Sequence, residues 1–452
     1  MTPREEIVQA INLLSRHTVK HRPWERPTVT SQVITNVADW KFQALLDGHR
    51  RSNAANPGSF SAVSNAFRLY ADYSSGTLSL WTNLIAAIGP AAATGTRDVF
   101  IDYLVFRYVR SETNTSAELA VPMLGVVDRI QTSGYHPVFR FIATYRSATF
   151  VKHADGKALR SFLPTLIQQN LEDAAKDTNM PASELHGSIS MWMDFSNSSE
   201  WSAWVMEDLE DLLDANWAGS AAFLELKGRG EISKAWKARG TGSIDTVTDQ
   251  GTKEFRQHLA KAQEHLEAAW SMDASMRRVA REMMTVELGQ GLGLKREQLW
   301  FDRVMAISTN DYNACLGMAV YLEPRWYGSD AKAIEFGRLC VASQKWGGEV
   351  PLVLQEVHHN LAQYYGLADS DDYWHRPQVW RDVRSSYEKF FQLNPGNTDY
   401  NQEYARDAFK CGQYTVFLQQ LPKFTLGTNY SVFKGEEEFN RMVAEAKAKA
   451  AK

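Results

Sequence analysis

From Phe255 onward the apolar residues of this chain return at intervals of four and three: Phe255, Leu259, Ala262, Leu266, Ala269-Trp270. That interval puts them on one stripe of an α-helix, and it does not fit the two-residue alternation of a half-buried strand. The rhythm continues through Met276, Val279-Ala280, Met283 and Val286, then Phe301 and Val304-Met305, then Tyr312, Cys315-Leu316, Ala319 and Leu322. Leu354, Val357, Leu361 and Tyr364 keep it, as do Val379-Trp380, Val383, Tyr387 and Phe390-Phe391. A helix with a single apolar stripe has to bury it against a neighbour. A series of such helices joined by short loops therefore stacks as hairpins, and the stretch Gly219 to Ser343 organises the chain.

The N-terminal half is helical but less regular. Helices are predicted over 1–20, Val37–Arg51, Phe60–Tyr73, 116–133, 135–153 and Leu159–Ala175, with Pro164 in the first turn of the last. His21–Pro27 and Asn53–Ser59 read as breaks. Only Thr96–Arg110, rich in β-branched and aromatic residues, invites a strand; it lacks turn punctuation and clean alternation, so a helix is expected. Residues 186–204, around Trp192, Phe195, Trp201 and Trp204, are expected to form an insertion or a junction.

Hairpin ends recur. Trp270-Ser-Met-Asp273 aligns with Met305-Ala-Ile-Ser308 at a spacing of 35, and the next equivalent falls near Val341. Gln392-Leu393-Asn394-Pro395 comes later, after an insertion around Asp369–Gln378. With Ala262, Leu266 and Ala269 ahead of Met272-Asp273, with the turn Leu393-Asn394-Pro395-Gly396-Asn397, and with Ala405 followed by Gly412-Gln413-Tyr414, the helices resemble tetratricopeptide repeats. Phe390 and Phe417 stand where that family usually has alanine. Residues about 225–345 also resemble an uncharacterised bacterial family with tetratricopeptide-like helices. The wordings that carry this are Ala235-Trp236-x-Ala238-Arg239-Gly240, Asp245-Thr-Val-Thr248, Leu299-Trp300-Phe301-Asp302-Arg303 and Leu322-Glu-Pro-Arg325-Trp326-Tyr327-Gly-Ser329. The resemblance implies an architecture and no activity. The expected fold is all-α: a right-handed superhelix of helical hairpins, tetratricopeptide-like, with an irregular region at 1–215, repeats at 216–430 and a C-terminal capping helix at 431–452.

Composition narrows the partners. With 49 basic and 53 acidic residues the net charge is −4, so no general attraction to nucleic acid or anionic lipid is expected. The longest apolar run, Leu84–Ala93, is broken by Gly89-Pro90 and is too short to span a bilayer. The chain as written opens without a cationic stretch and apolar run, so a cytoplasmic protein without membrane insertion is expected. Cys315, Cys340 and Cys411 form no CxxC pair, and they read as small buried hydrophobes, with Cys315 and Cys340 on neighbouring hairpins.

Short motifs that suggest chemistry have simpler structural readings. Ser329-x-x-Lys332 has the spacing of a nucleophile with its lysine, but the companion SDN and KTG elements are missing and Ser329 suits a helix N-cap. Glu356-x-x-His359 is one arm of a di-iron site without its second arm, so a core-edge histidine pair is expected. Gly289-x-Gly291-x-Gly293 follows a helix and reads as a turn with residues at positive φ. His258 and His265 are two helical turns apart, too far to share one ion unaided. No cofactor or metal is expected. The acidic start and basic end of 436–452 suit the helix dipole.

The remaining candidates are Trp236, Arg239, Trp300, Arg325, Trp326 and Tyr327. Arginine and tryptophan anchor protein interfaces, and loops on a repeat scaffold carry function. They also lock turns and cap carbonyls. The expected function is a non-enzymatic scaffold that binds a protein or peptide on its concave face. The alternative, resting on the 14 Trp and 17 Tyr, is an α/α-toroid that binds or degrades polysaccharide.

Overall fold

The computed structural model describes residues 3–19, 37–52, 60–76, 81–95, 97–154, 162–196, 198–242, 244–424 and 427–450. Among these every regular element is helical, with no strand. The protein is all-α. The chain divides into two compact units, Met1–Phe255 and Arg256–Lys452.

The first unit contains α1 (Pro3–Val19), α2 (Val37–Ser52), α3 (Phe60–Ser74), α4 (Trp81–Ala93), α5 (Val99–Leu104), α6 (Ser116–Gln131), α7 (Pro137–Ala154), α8 (Phe162–Ala175), α9 (Ala182–Met193), α10 (Ser199–Trp217) and α11 (Ala221–Arg239). α6 packs on α7 and α7 on α8, while α1 lies on α6 and α8. Thr96–Arg110 is helical as expected over its described part, but irregular. After α5 the helix widens into a π-segment at Val105–Val109 and tightens into a 3₁₀ turn at Arg110–Glu112. Asp98 starts it, accepting the amides of Phe100 and Ile101 at 2.8 and 3.0 Å. Thr115 and Glu118 then form a capping box that opens α6.

The stretch 186–204, expected as an insertion or a junction, joins two helices: it is the end of α9 and the start of α10. Its rings fill the core: Trp192 is fully buried and lies 4.7 Å from Trp201 and 5.1 Å from Phe195. Trp201 and Trp204 are three residues apart on one face of α10, a helical spacing that a dense run of aromatics disguises. The breaks read at His21–Pro27 and Asn53–Ser59 lie outside the described residues.

The division between units falls within α12 (Asp249–Met272). Beyond it come α13 (Arg277–Gln290), α14 (Leu294–Ile307), α15 (Tyr312–Tyr321), α16 (Asp330–Ala342), α17 (Val353–Tyr364), α18 (Asp371–Trp374), α19 (Pro377–Leu393), α20 (Asn401–Lys410), α21 (Tyr414–Gln420) and α22 (Glu436–Ala450). Helices pack on their successors and, repeatedly, on the next but one: α13 on α14 and α15, α15 on α16 and α17, α17 on α19, α19 on α20, α20 on α21, α21 on α22. Gly291 and Gly293 have φ of 65° and 109° and turn the chain from α13 into α14. Ser329 is the N-cap of α16, its hydroxyl accepting the amide of Lys332. Cys315 and Cys340 are buried free thiols; Cys315 donates to Met305 Sδ at 3.9 Å, and the nearby Cys315 together with burial pushes the Cys340 thiol up.

Candidate functional site

The six residues singled out by sequence separate into local clusters. In the first unit α11 ends at Arg239 because Gly240, at φ 73°, cannot continue it. The Arg239 guanidinium folds back over Trp236 at 5.6 Å and donates to the carbonyls of Gly240 and Gly242. Trp236 meets Phe255 edge-on at 5.1 Å. The pair fastens a helix end.

In the second unit Trp300 is 4% exposed and packs edge-on against Trp270 at 5.6 Å. Arg303 covers both rings, 4.1 Å from Trp300 and 5.2 Å from Trp270. So little of the Trp300 ring is left for a partner. Arg325, Trp326 and Tyr327 occupy the turn between α15 and α16. Arg325 pairs at 2.5 Å with Glu323, which is buried and also accepts from Asn360 at 2.9 Å. Burial pushes the Glu323 carboxyl up, against the pull of Arg325. Tyr327 leans on Tyr321 at 4.8 Å and donates to the Leu288 carbonyl at 3.1 Å. Arg325 and Tyr327 are exposed.

A concave site lies elsewhere in the second unit, in a cavity of about 560 Å³. Its polar centre is built by α17 and α20. On α17 the adjacent histidines turn to different acids. His358 is buried between the Tyr373 hydroxyl at 3.0 Å and Asp382 at 3.2 Å, and Arg338 holds the same carboxylate with two bonds of 2.8 and 2.9 Å. His359 faces the cavity, with Nε2 3.0 Å from Asp407 Oδ2. Asp407 is fully buried; it accepts from the Tyr387 hydroxyl at 2.8 Å and from Arg406 Nε at 2.8 Å. Burial opposes its charge, but His359 and Arg406 outweigh that and hold the carboxyl well below the usual range. The Arg406 guanidinium, held charged by Asp407 despite its burial, also reaches His359 Nε2 at 3.3 Å.

One turn further along α20, Lys410 donates to the Ala368 carbonyl at 2.9 Å and lies 3.4 Å from Asp369. Its ammonium sits 5.1 Å from the centre of the Trp374 ring, and burial pushes the amine below its ordinary value. Lys434 reaches the other oxygen of Asp369 at 2.8 Å. From α22, Arg441 bonds to both Glu438 and Glu445. Trp374, Phe409, Tyr414, Phe433 and Met442 supply the apolar lining. The lining residues include no serine, threonine or cysteine. Among the described residues no group of three or more metal-ligating side chains comes together.

Comparison with protein-family models finds no match, and neither does a search of curated proteins. The site therefore rests on its geometry. Sequence reading had reached only Glu356-x-x-His359. Arg406, Asp407 and Lys410 lie 47 to 51 positions beyond His359 with no motif to join them. The C-terminal segment, expected only to cap the fold, supplies a wall of the cavity through α22.

Proposed function

We propose that the chain is a non-enzymatic binding scaffold whose second unit is a tetratricopeptide-like, right-handed superhelix that engages a protein or peptide. Helix packing on the next and next-but-one neighbour supports the repeat architecture, because a solenoid is held together by near-neighbour interfaces. The observation that carries the binding reading is the cavity at His359, Arg406 and Lys410, where charged and aromatic side chains from several separate segments converge. The exposed Arg325 and Tyr327 at the α15–α16 turn are the members of the sequence-derived set best placed to contact a partner. Trp236, Arg239 and Trp300 act as joints in this reading.

Selection of a random peptide library on the full chain tests it. The expected result is a family of related peptides that bind saturably and lose affinity in Lys410→Met. Saturable binding to an oligosaccharide panel, with no peptide enriched, overturns the proposal in favour of polysaccharide recognition. The repeat architecture has its own test: small-angle scattering has to give a profile that fits stacked hairpins and not a closed toroid.

A further inference from the structure

The charges of the cavity are unevenly distributed among its walls. The polar side chains that α17 and α20 bring to the lining are His359, Arg406 and Lys410, beside the Phe409 ring. Lys434 adds another from the segment before α22. Two carboxylates answer the three permanent cations on this side. Asp407 lies behind Arg406, and Asp369 is shared between Lys410 and Lys434. The α22 wall is the reverse, since Glu438 and Glu445 share the single Arg441 and one negative charge is left over. Asp371 and His375, 3.4 Å apart, form a separate pair. Lys410 is half-buried and keeps a donor beyond its bond to Ala368 and its approach to Asp369. The guanidinium of Arg406 likewise has donors beyond the Nε–H used on Asp407. Trp374, Phe409 and Tyr414 add aromatic surface to the lining.

We propose that this cavity binds a short zwitterion, an amino acid or a di- or tripeptide with free ends, its carboxylate on Arg406 and Lys410 and its ammonium on Glu438 and Glu445. This rests on the binding reading above and names the ligand class. The carboxylate takes charge-assisted hydrogen bonds from the guanidinium and the ammonium. An apolar side chain of the ligand covers the Trp374 and Tyr414 rings. The volume is in the range that small-molecule sites occupy.

Titration calorimetry on the full chain tests the proposal with three probes: phenylalanyl-alanine, its N-acetyl form and its C-terminal amide. The free dipeptide is expected to bind at one saturable site, and each blocked form to bind about tenfold more weakly or worse. Lys410→Met should weaken the free and N-acetyl forms while leaving the amide unchanged; Glu445→Gln should show the mirror image. Equal binding of either blocked form overturns the proposal, as does no binding of any of the three at millimolar concentration. Should a variant fail to fold, the comparison of the three probes on the unaltered chain decides alone. Peptides that bind only through internal residues, with no contribution from their ends, would leave the scaffold reading standing and this one refuted. If neither library peptides nor dipeptides bind, both fall.

Discussion

Gly48 sits on α2 where a Cβ would lie 2.3 Å from the Tyr135 ring. The ring cannot retreat freely, since its hydroxyl bonds at 2.7 and 2.8 Å to Asp98, a fully buried carboxylate that also takes His49 at 2.7 Å and caps α5. Alanine would gain about 1 kcal/mol of helix propensity. Overpacking at such a contact costs about 1–3 kcal/mol, and displacing Tyr135 adds the loss of a bond to a buried charge. Gly48→Ala is therefore expected to destabilise the protein, and urea denaturation reads the difference. Glu297 is a different kind of strained residue. It is buried, its Oε2 has no hydrogen-bond partner, and burial together with the nearby Glu287 charge pushes its carboxyl from 4.5 up to about 9. Folding thus takes up a proton at Glu297. Its contribution is fully present below pH 4.5 and is lost as pH rises toward 9. Glu297→Gln should leave stability near pH 4.5 almost unchanged and raise the melting temperature by several degrees at pH 8–9. A variant whose melting curve shifts equally at both pH values would contradict this assignment.

Helices α17 and α20 are joined by polar groups. Asp407 connects Tyr387 of α19, His359 of α17 and Arg406 of its own helix. Breaking a buried pair by removing one partner costs about 3–5 kcal/mol, because the other charge is left uncompensated. Asp407→Asn is expected to lose stability of that order at neutral pH. Because the folded carboxyl is held below the usual 3.8, the stability it contributes is present above that value and fades as pH falls through it. The variant should therefore have a shallower acid limb in a plot of melting temperature against pH. At this scale the sequence was informative about apolar faces: α13, α14, α17 and α19 lie where the four-and-three stripes put them. It was silent about Asp407, since an aspartate preceded by arginine on a helix looks like any solvated pair. Only the approach of a helix 48 positions away shows that the aspartate is buried. The helices within the Trp192–Trp204 run were hidden for another reason: rings crowded in sequence mask the period of the helices that carry them.

One buried cluster in the first unit runs from Ile7 to Leu226, and one in the second gathers Ala405, Phe417, Phe433 and Met442 among others. Differential scanning calorimetry is expected to resolve two transitions, with Gly48→Ala lowering one and Asp407→Asn the other. A single transition that both variants lower together would show that the chain unfolds as one cooperative body. No described helix is long and apolar enough to cross a membrane, in line with the interrupted run at Leu84–Ala93. By itself the sequence determined the helical class, most helix positions and the glycine turns. These depend on local periodicity and on φ angles that few residues adopt. The tertiary structure decided which Trp and Arg fasten joints, which carboxylates are buried, and that α22 helps enclose a cavity. Those properties depend on which distant segments meet, and burial, which sets the energy of a charge or a ring, belongs to the assembled neighbourhood rather than to the residue.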